Sequence, residues 1–269
     1  MPRILTILLA CLFTGLTHAQ SKPATPPPAK EKFHLYLLMG QSNMVGRDRT
    51  DLDSQQENPR ILSLNPEGQW VIAKDPLHPK VGAIECGVGP GLTFATQMLK
   101  DETDPKVTIG LIPCAVGGTP LKRWVKSGDL YKQAIERSKT ASKDGVIKGM
   151  IWHQGESDTE KPEPADSYGT RLADMIKDLR KDLRQPELPV VVGQLGDFLA
   201  LTPQKFPHAD AVKAAIKKIP DTVPNTGYAD SAGLGHKGDK LHFNTGAERE
   251  FGLRFAHAMK DLQKTKKKP

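Results

Sequence analysis

Short apolar runs alternate along this chain with stretches whose apolar residues recur at helical spacing. The strongest run, Phe-His-Leu-Tyr-Leu-Leu-Met at residues 33–39, is closed by Gly40. A run this apolar, ended by glycine, predicts a strand buried on both faces that enters a sharp turn. Residues 107–115, 149–153 and 189–195 read as further strands and 226–230 as a short one. Ile61–Leu64 and Trp70–Ile72 are short strand candidates within a turn-rich stretch from Arg47 to Gly82. Helices are predicted over residues 92–100, 131–142, 167–183 and 209–219, and from Thr245 onward. In residues 167–183, Leu172, Met175, Ile176, Leu179 and Leu183 form one apolar face. The last helix presents Phe251, Phe255, Ala258 and Met259, and Thr245-Gly246-Ala247-Glu248 reads as its capping box. Strands alternating with helices give an α/β protein, a parallel sheet covered on both faces. Three strands run into small polar clusters: Gly40-Gln41-Ser42-Asn43, Gly117-Gly118-Thr119 and His153-Gln154-Gly155-Glu156. Parallel strands put such ends on one edge of a sheet, so the clusters should converge.

Composition changes this picture only at the ends. The net charge of +7 invites a nucleic-acid reading, but the charge is unevenly spread. Residues 1–32 and 264–269 hold eight of the 38 bases and one of the 31 acids, which leaves a formally neutral body. No nucleic-acid partner is expected, and residues 264–269 read as a solvated basic tail. Met1-Pro2-Arg3 followed by an apolar run to Phe13 reads as a signal peptide over residues 1–19, too short to span a membrane. A secreted or periplasmic location follows. A lipoprotein box ending at Cys11 is the competing reading of the same stretch. Residues 20–32 form a proline-rich linker, and residues 33–263 one domain. Cys86 and Cys114 remain in the mature chain, where they could form one disulfide if they meet.

Ser42 is the candidate nucleophile, because the glycine before it allows a serine to stand exposed at a strand end. Its competing role is a helix cap ahead of Asn43. A nucleophilic serine needs a base, an orienting acid and donors for the developing oxyanion. His242 is the candidate base, and Asp239, three residues earlier, can fold back onto its Nδ1. His236 is the reserve base, whereas His34, His78, His208 and His257 have no such partner. The Gln154 side chain and the Gly117 backbone amide are candidate oxyanion donors, with Gly118 in reserve. Glu156 and Asp158 read as acceptors that stabilise their turn, since a glycosidase acid pair usually comes from separate elements. The glycines of residues 87–91 lack the Lys and Ser/Thr of a phosphate loop, and no spacing suggests a metal site or cofactor.

Gly40-Gln41-Ser42-Asn43-Met44, the glycines of residues 87–91, Ala115-Val116-Gly117-Gly118-Thr119, the 153–158 cluster and Asp239-Lys240-Leu241-His242 together resemble the sialate O-acetylesterase domain group. That group is the carbohydrate-esterase branch of the SGNH hydrolases that includes acetylxylan esterases. The resemblance runs from about Phe33 to Lys260. It implies a flavodoxin-like three-layer α/β/α fold and a metal-independent Ser42–His242–Asp239 triad. The oxyanion donors then fall on the Ser42 amide, the Gly117 amide and the Gln154 side chain. The implied activity is removal of O-acetyl groups from a carbohydrate through an acetyl-enzyme on Ser42. A non-catalytic glycan-binding module and an acyltransferase are the alternatives of the same fold.

Overall fold

A computed structural model describes residues 26–80, 85–100 and 102–265. Seven strands form one sheet: β1 (Phe33–Gly40), β2 (Ile61–Leu64), β3 (Trp70–Ile72), β4 (Thr108–Pro113), β5 (Val146–His153), β6 (Val190–Gly193) and β7 (Thr226–Ala229). Their spatial order is β3-β2-β4-β1-β5-β6-β7, all parallel except the edge strand β3. The helices are α1 (Ser42–Val45), α2 (Gly91–Lys100), α3 (Asp129–Ala141), α4 (Pro162–Asp166), α5 (Tyr168–Asp182), α6 (Ala209–Thr222) and α7 (Thr245–Thr265). α2 and α7 pack together on one face. On the other face α5 packs on α6, and α3 is tied to α5 by the Tyr131 hydroxyl donating to Asp182 at 2.8 Å. This is the three-layer α/β/α arrangement expected from the alternation.

The centre of the sheet explains the apolar run. β1 lies between β4 and β5 with helices over both faces, so every residue but His34 is buried. Neighbouring positions of β5 point to opposite layers. Trp152 packs edge-on to Trp124, and His153 packs among Phe243, Phe251 and Phe255. β1 and β5 end level, Gly40 beside His153. Gly40 has φ +138°, and a Cβ there would stand 2.0 Å from the His153 carbonyl oxygen. Only glycine lets the chain turn this close to β5, and the turn delivers Ser42 as the first residue of α1. The chain leaving β4 runs on past the same point, with Val116 N–H donating to Gly40 O at 3.0 Å.

Some local expectations are revised. The cap of α7 is Asn244, whose Oδ1 accepts the Ala247 N–H at 2.9 Å; Thr245 is already helical. Glu248 therefore lies one position too late for a capping box, and its side chain turns into the interior. Residues 162–166 form the extra helix α4, and α6 continues through Pro220 to Thr222. Of the 264–269 segment, residues 264 and 265 belong to α7, and residues 266–269 lie outside the described residues. Of the linker, residues 26–29 carry no regular structure and Lys30–Lys32 form a 3-10 turn. The signal peptide and Cys11 lie outside the described residues. Cys86 and Cys114 are free thiols. No helix among the described residues is long and apolar enough to cross a membrane.

Among the described residues, Glu248 and Asp75 are buried without an ion-pair partner, with three of their carboxyl oxygens unmatched. Burial pushes the Asp75 carboxyl up to about 7, against a Gly89 N–H that favours its ionised form. An unfolded Asp titrates near 4, so between about pH 4 and 7 the folded chain holds the extra proton and stability falls as pH rises. Asp75→Asn removes that penalty, which at full value is about 4 kcal/mol above pH 7. The variant is expected to melt above wild type at pH 8, with the gap closing towards pH 4. A gap that does not change with pH would contradict this account.

Candidate active site

The catalytic candidates meet at the carboxyl edge of the sheet. His242 Nε2 lies 3.0 Å from Ser42 Oγ, and Asp239 Oδ2 lies 2.7 Å from His242 Nδ1. Asp239 Oδ1 accepts the N–H groups of Leu241 and His242 at 3.0 and 2.8 Å. Partial burial works against ionisation of Asp239. The His242 backbone N–H, its imidazole and the Leu241 N–H outweigh it and hold the carboxyl well below the usual carboxylate range. With Asp239 ionised, the imidazole proton sits on Nδ1, and Nε2 is left free to accept the Ser42 proton. The i, i+3 spacing read from the sequence produces this contact within a single loop.

Asn43 is a site residue that the sequence reading left without a role. Its Nδ2 donates to Glu156 Oε1 at 2.6 Å and to Leu241 O at 3.1 Å, and its Oδ1 accepts Phe243 N–H at 3.2 Å. One buried amide thus ties the nucleophile turn to the loop after β5 and to the His242 loop. The available signal was a fully polar side chain directly after the nucleophile, in a stretch buried throughout.

Gly117, the candidate donor, and Gly118, its reserve, separate cleanly. Gly118, with φ +69°, makes the turn and faces open space. A Cβ on Gly117 would lie 3.6 Å from Ser42 Cβ and collide with Arg47 Nη2 at 1.9 Å, so Gly117 is the one that approaches Ser42. Among the described residues no protein acceptor takes the Gly117 N–H.

Gln154 is placed differently from the expectation. It is fully buried and does not line the cleft. Its Nε2 donates to Asp158 Oδ2 at 2.7 Å and to Thr119 O and Gln41 Oε1 at 3.1 Å. Two N–H bonds are thereby shared among three acceptors, so none remains for a substrate. Asp158 and Thr119 O can only accept here, which fixes Gln154 Nε2 as the donor and the facing Gln41 atom as Oε1. Gln41 Nε2 is consequently the end turned to the cleft. It has no acceptor among the described residues and is not sealed from solvent. Asp158 is held in turn by Arg171 at 2.9 Å. Asp158 thus serves as a buried acceptor in the supporting layer, while Glu156 accepts from Asn43 and borders the cleft.

Ser42, His242, Gln41 and Gly117 line a cleft of about 800 Å³, with Arg47, Glu160, Gln204, Lys205, Phe206 and Lys237 along its walls. A second cavity of about 640 Å³ opens at the opposite end of the sheet around His34, Tyr36 and Pro189, away from Ser42. Desolvation pushes the Cys114 thiol up to about 11, so Cys114 is not a competing thiolate at neutral pH.

The mostly parallel α/β/α fold is shared, at low identity, with solved structures of an acetyl-xylooligosaccharide esterase and a lipase/acylhydrolase. The chain belongs to the family described as carbohydrate esterase, sialic acid-specific acetylesterase, whose profile matches residues 32–261. It is a carboxylic ester hydrolase of the carbohydrate O-acetylesterase type. It is 34% identical over 264 residues to a protein of Arabidopsis thaliana named a probable carbohydrate esterase, covering 91% of this chain and 96% of that one. The crystal structure of an Arabidopsis thaliana protein superimposes with a TM-score of 0.77 at 32% identity, covering 88% of this chain and 99% of that one. NanS shares the fold at 20% identity and a TM-score of 0.71, over 90% of this chain and 99% of that one. A carbohydrate acetylesterase from Xanthomonas citri also shares it, at 20% identity and 0.65, over 86% of this chain and 57% of that one.

Proposed function

We propose that the chain is an exported serine esterase that removes acetyl groups from sugar hydroxyls through an acetyl-enzyme on Ser42. The observation that carries this reading is the Ser42–His242–Asp239 hydrogen-bonded series opening on a cleft with polar walls. Ser42 Oγ attacks the acetyl carbonyl carbon while His242 Nε2 takes its proton. The tetrahedral intermediate collapses, the sugar C–O–acyl bond breaks on the acyl side, and His242 returns the proton to the departing sugar oxygen. Water then attacks the acetyl-enzyme, again losing a proton to His242, and acetate leaves as Ser42 recovers its hydrogen. The Ser42 and Gly117 amides and the Gln41 side chain are the oxyanion donors in this reading, and Gln154 holds Gln41 in place. Glu160, Gln204, Lys205 and Lys237 supply the donors and acceptors that a polyhydroxylated leaving group needs. Export rests on the basic start and apolar run of residues 1–19.

The test is acetate release from acetylated xylo-oligosaccharides, O-acetylated sialic acid and acetylated pectin fragments, together with labelling by a serine-directed phosphonate. Stoichiometric acetate and a phosphonate adduct on the Ser42 peptide are expected. A labelled protein that releases no acetate from any of these sugars would overturn the carbohydrate assignment, and an adduct elsewhere would overturn the nucleophile.

A further inference from the structure

We propose that His236 is a positioning residue that sets the loop carrying Asp239 and His242, using its imidazole as a backbone acceptor. The proposal rests on the triad reading above. The loop runs from Gly235 to Asn244 and is closed at its base by Asn244 N–H donating to Gly235 O at 3.1 Å and Lys237 N–H donating to His242 O at 2.9 Å. His236 and Phe243 pair across it as an isolated antiparallel bridge. Beyond that base the chain doubles back through two residues in the left-handed region, Gly238 at φ +116° and Lys240 at φ +57°. Asp239 sits between them. A lysine is rarely found in this region, and such conformations persist only where the surroundings impose them.

The imposing group is His236. Its Nδ1 accepts the N–H of Gly238 at 2.9 Å and that of Lys240 at 3.3 Å. These are the two left-handed residues themselves, so one ring nitrogen clamps the backbone on either side of the catalytic aspartate. The ring is braced from outside the loop: it meets Phe198 edge-on at 5.5 Å, and Phe198 packs on Phe243 at 4.9 Å. His236 does not line the cleft, and among the described residues its side chain has no hydrogen bond to Ser42 or His242. Its influence on the reaction passes through the placement of Asp239, whose carboxylate must reach Nδ1 of His242. The sequence reading held His236 in reserve as a base. The structure gives it an acceptor's task instead, in which Nδ1 carries no proton and Nε2 does.

Two substitutions separate acceptor from bulk. His236→Phe keeps a ring against Phe198 and removes the acceptor. His236→Asn shortens the side chain but places Oδ1 where it can take the N–H two residues on, as asparagine does in turns. The Phe variant is expected to lose about 10²-fold in kcat, the scale of a misplaced catalytic group, with KM within about twofold. The Asn variant should recover kcat to within about threefold of wild type. A readout that needs no substrate accompanies the kinetics: the far-downfield proton resonance of His242 Nδ1–H bonded to Asp239. It should be sharp in wild type and the Asn variant and lost or shifted in the Phe variant. Phe and Asn variants that lose kcat equally, or a Phe variant with wild-type kcat and an unchanged resonance, would overturn the proposal. A wild type that shows the resonance but releases no acetate would instead count against the proposed substrate and leave the loop assignment standing on the spectrum.

Discussion

Ser42→Ala is expected to lower kcat for ester hydrolysis by about 10⁴-fold or more, while the thermal midpoint stays within about 2 °C of wild type. The hydroxyl makes one side-chain contact, to His242 Nε2, and its loss opens no cavity in the core. What remains is the binding and electrostatic stabilisation provided by the cleft, which alone gives a small residual rate. His242→Ala should lose a similar factor, because a serine without a base is a poor nucleophile. The double variant should be barely slower than either single one, since the two side chains act as a unit through one 3.0 Å contact. The comparison needs kcat per folded molecule for all three variants. Losses that simply multiply would mean that Ser42 and His242 do not share a step. A Ser42→Ala enzyme keeping more than about a tenth of its kcat would rule out the serine acyl-enzyme.

The features legible in the sequence are those set by local chemistry or by the symmetry of a parallel sheet. β1 could be read because a strand covered on both faces must be apolar throughout. The convergence of three polar clusters could be read because β4, β1 and β5 are adjacent and run the same way. Asp239 and His242 could be paired because three residues of loop bring them together. The features that escaped depend on contacts between distant segments. Asn244 caps α7 in place of its neighbour Thr245, whose N–H and hydroxyl instead donate to the distant Asp48 carboxylate. Asp75 and Glu248 look like ordinary surface acids along the chain, and only the packing of α7 against the loops before α2 buries them. Asn43 binds partners 113 and 198 residues away, a span no periodicity reveals. Gln41 and Gln154 both follow strand ends, and their order in depth is set by Asp158 and Thr119, which lie beneath them.

That order in depth predicts an inversion between the two glutamines. Gln41→Ala should lower kcat by about 10²–10³-fold with little change in KM, because a donor aimed at the developing oxyanion acts mainly in the transition state. Gln154→Ala should cost less in kcat, about tenfold, since it leaves the Gln41 amide present but free to rotate. It should cost more in stability, because Asp158 and the Thr119 carbonyl each lose a buried donor. A fall of about 2 kcal/mol is expected from that loss. Gln41→Glu should be at least as slow as Gln41→Ala, as a carboxylate in this place has no N–H for the oxyanion and repels it, although it can still accept from the Gln154 amide. Measuring kcat, KM and thermal midpoint on the three variants distinguishes the roles. If Gln154→Ala has near-normal stability and the larger loss in kcat, the Gln154 amide leaves its buried partners during turnover and is itself the donor, as the sequence first suggested. If Gln41→Ala has near-normal kcat, the oxyanion is stabilised by the backbone amides of Ser42 and Gly117 without help from either side chain.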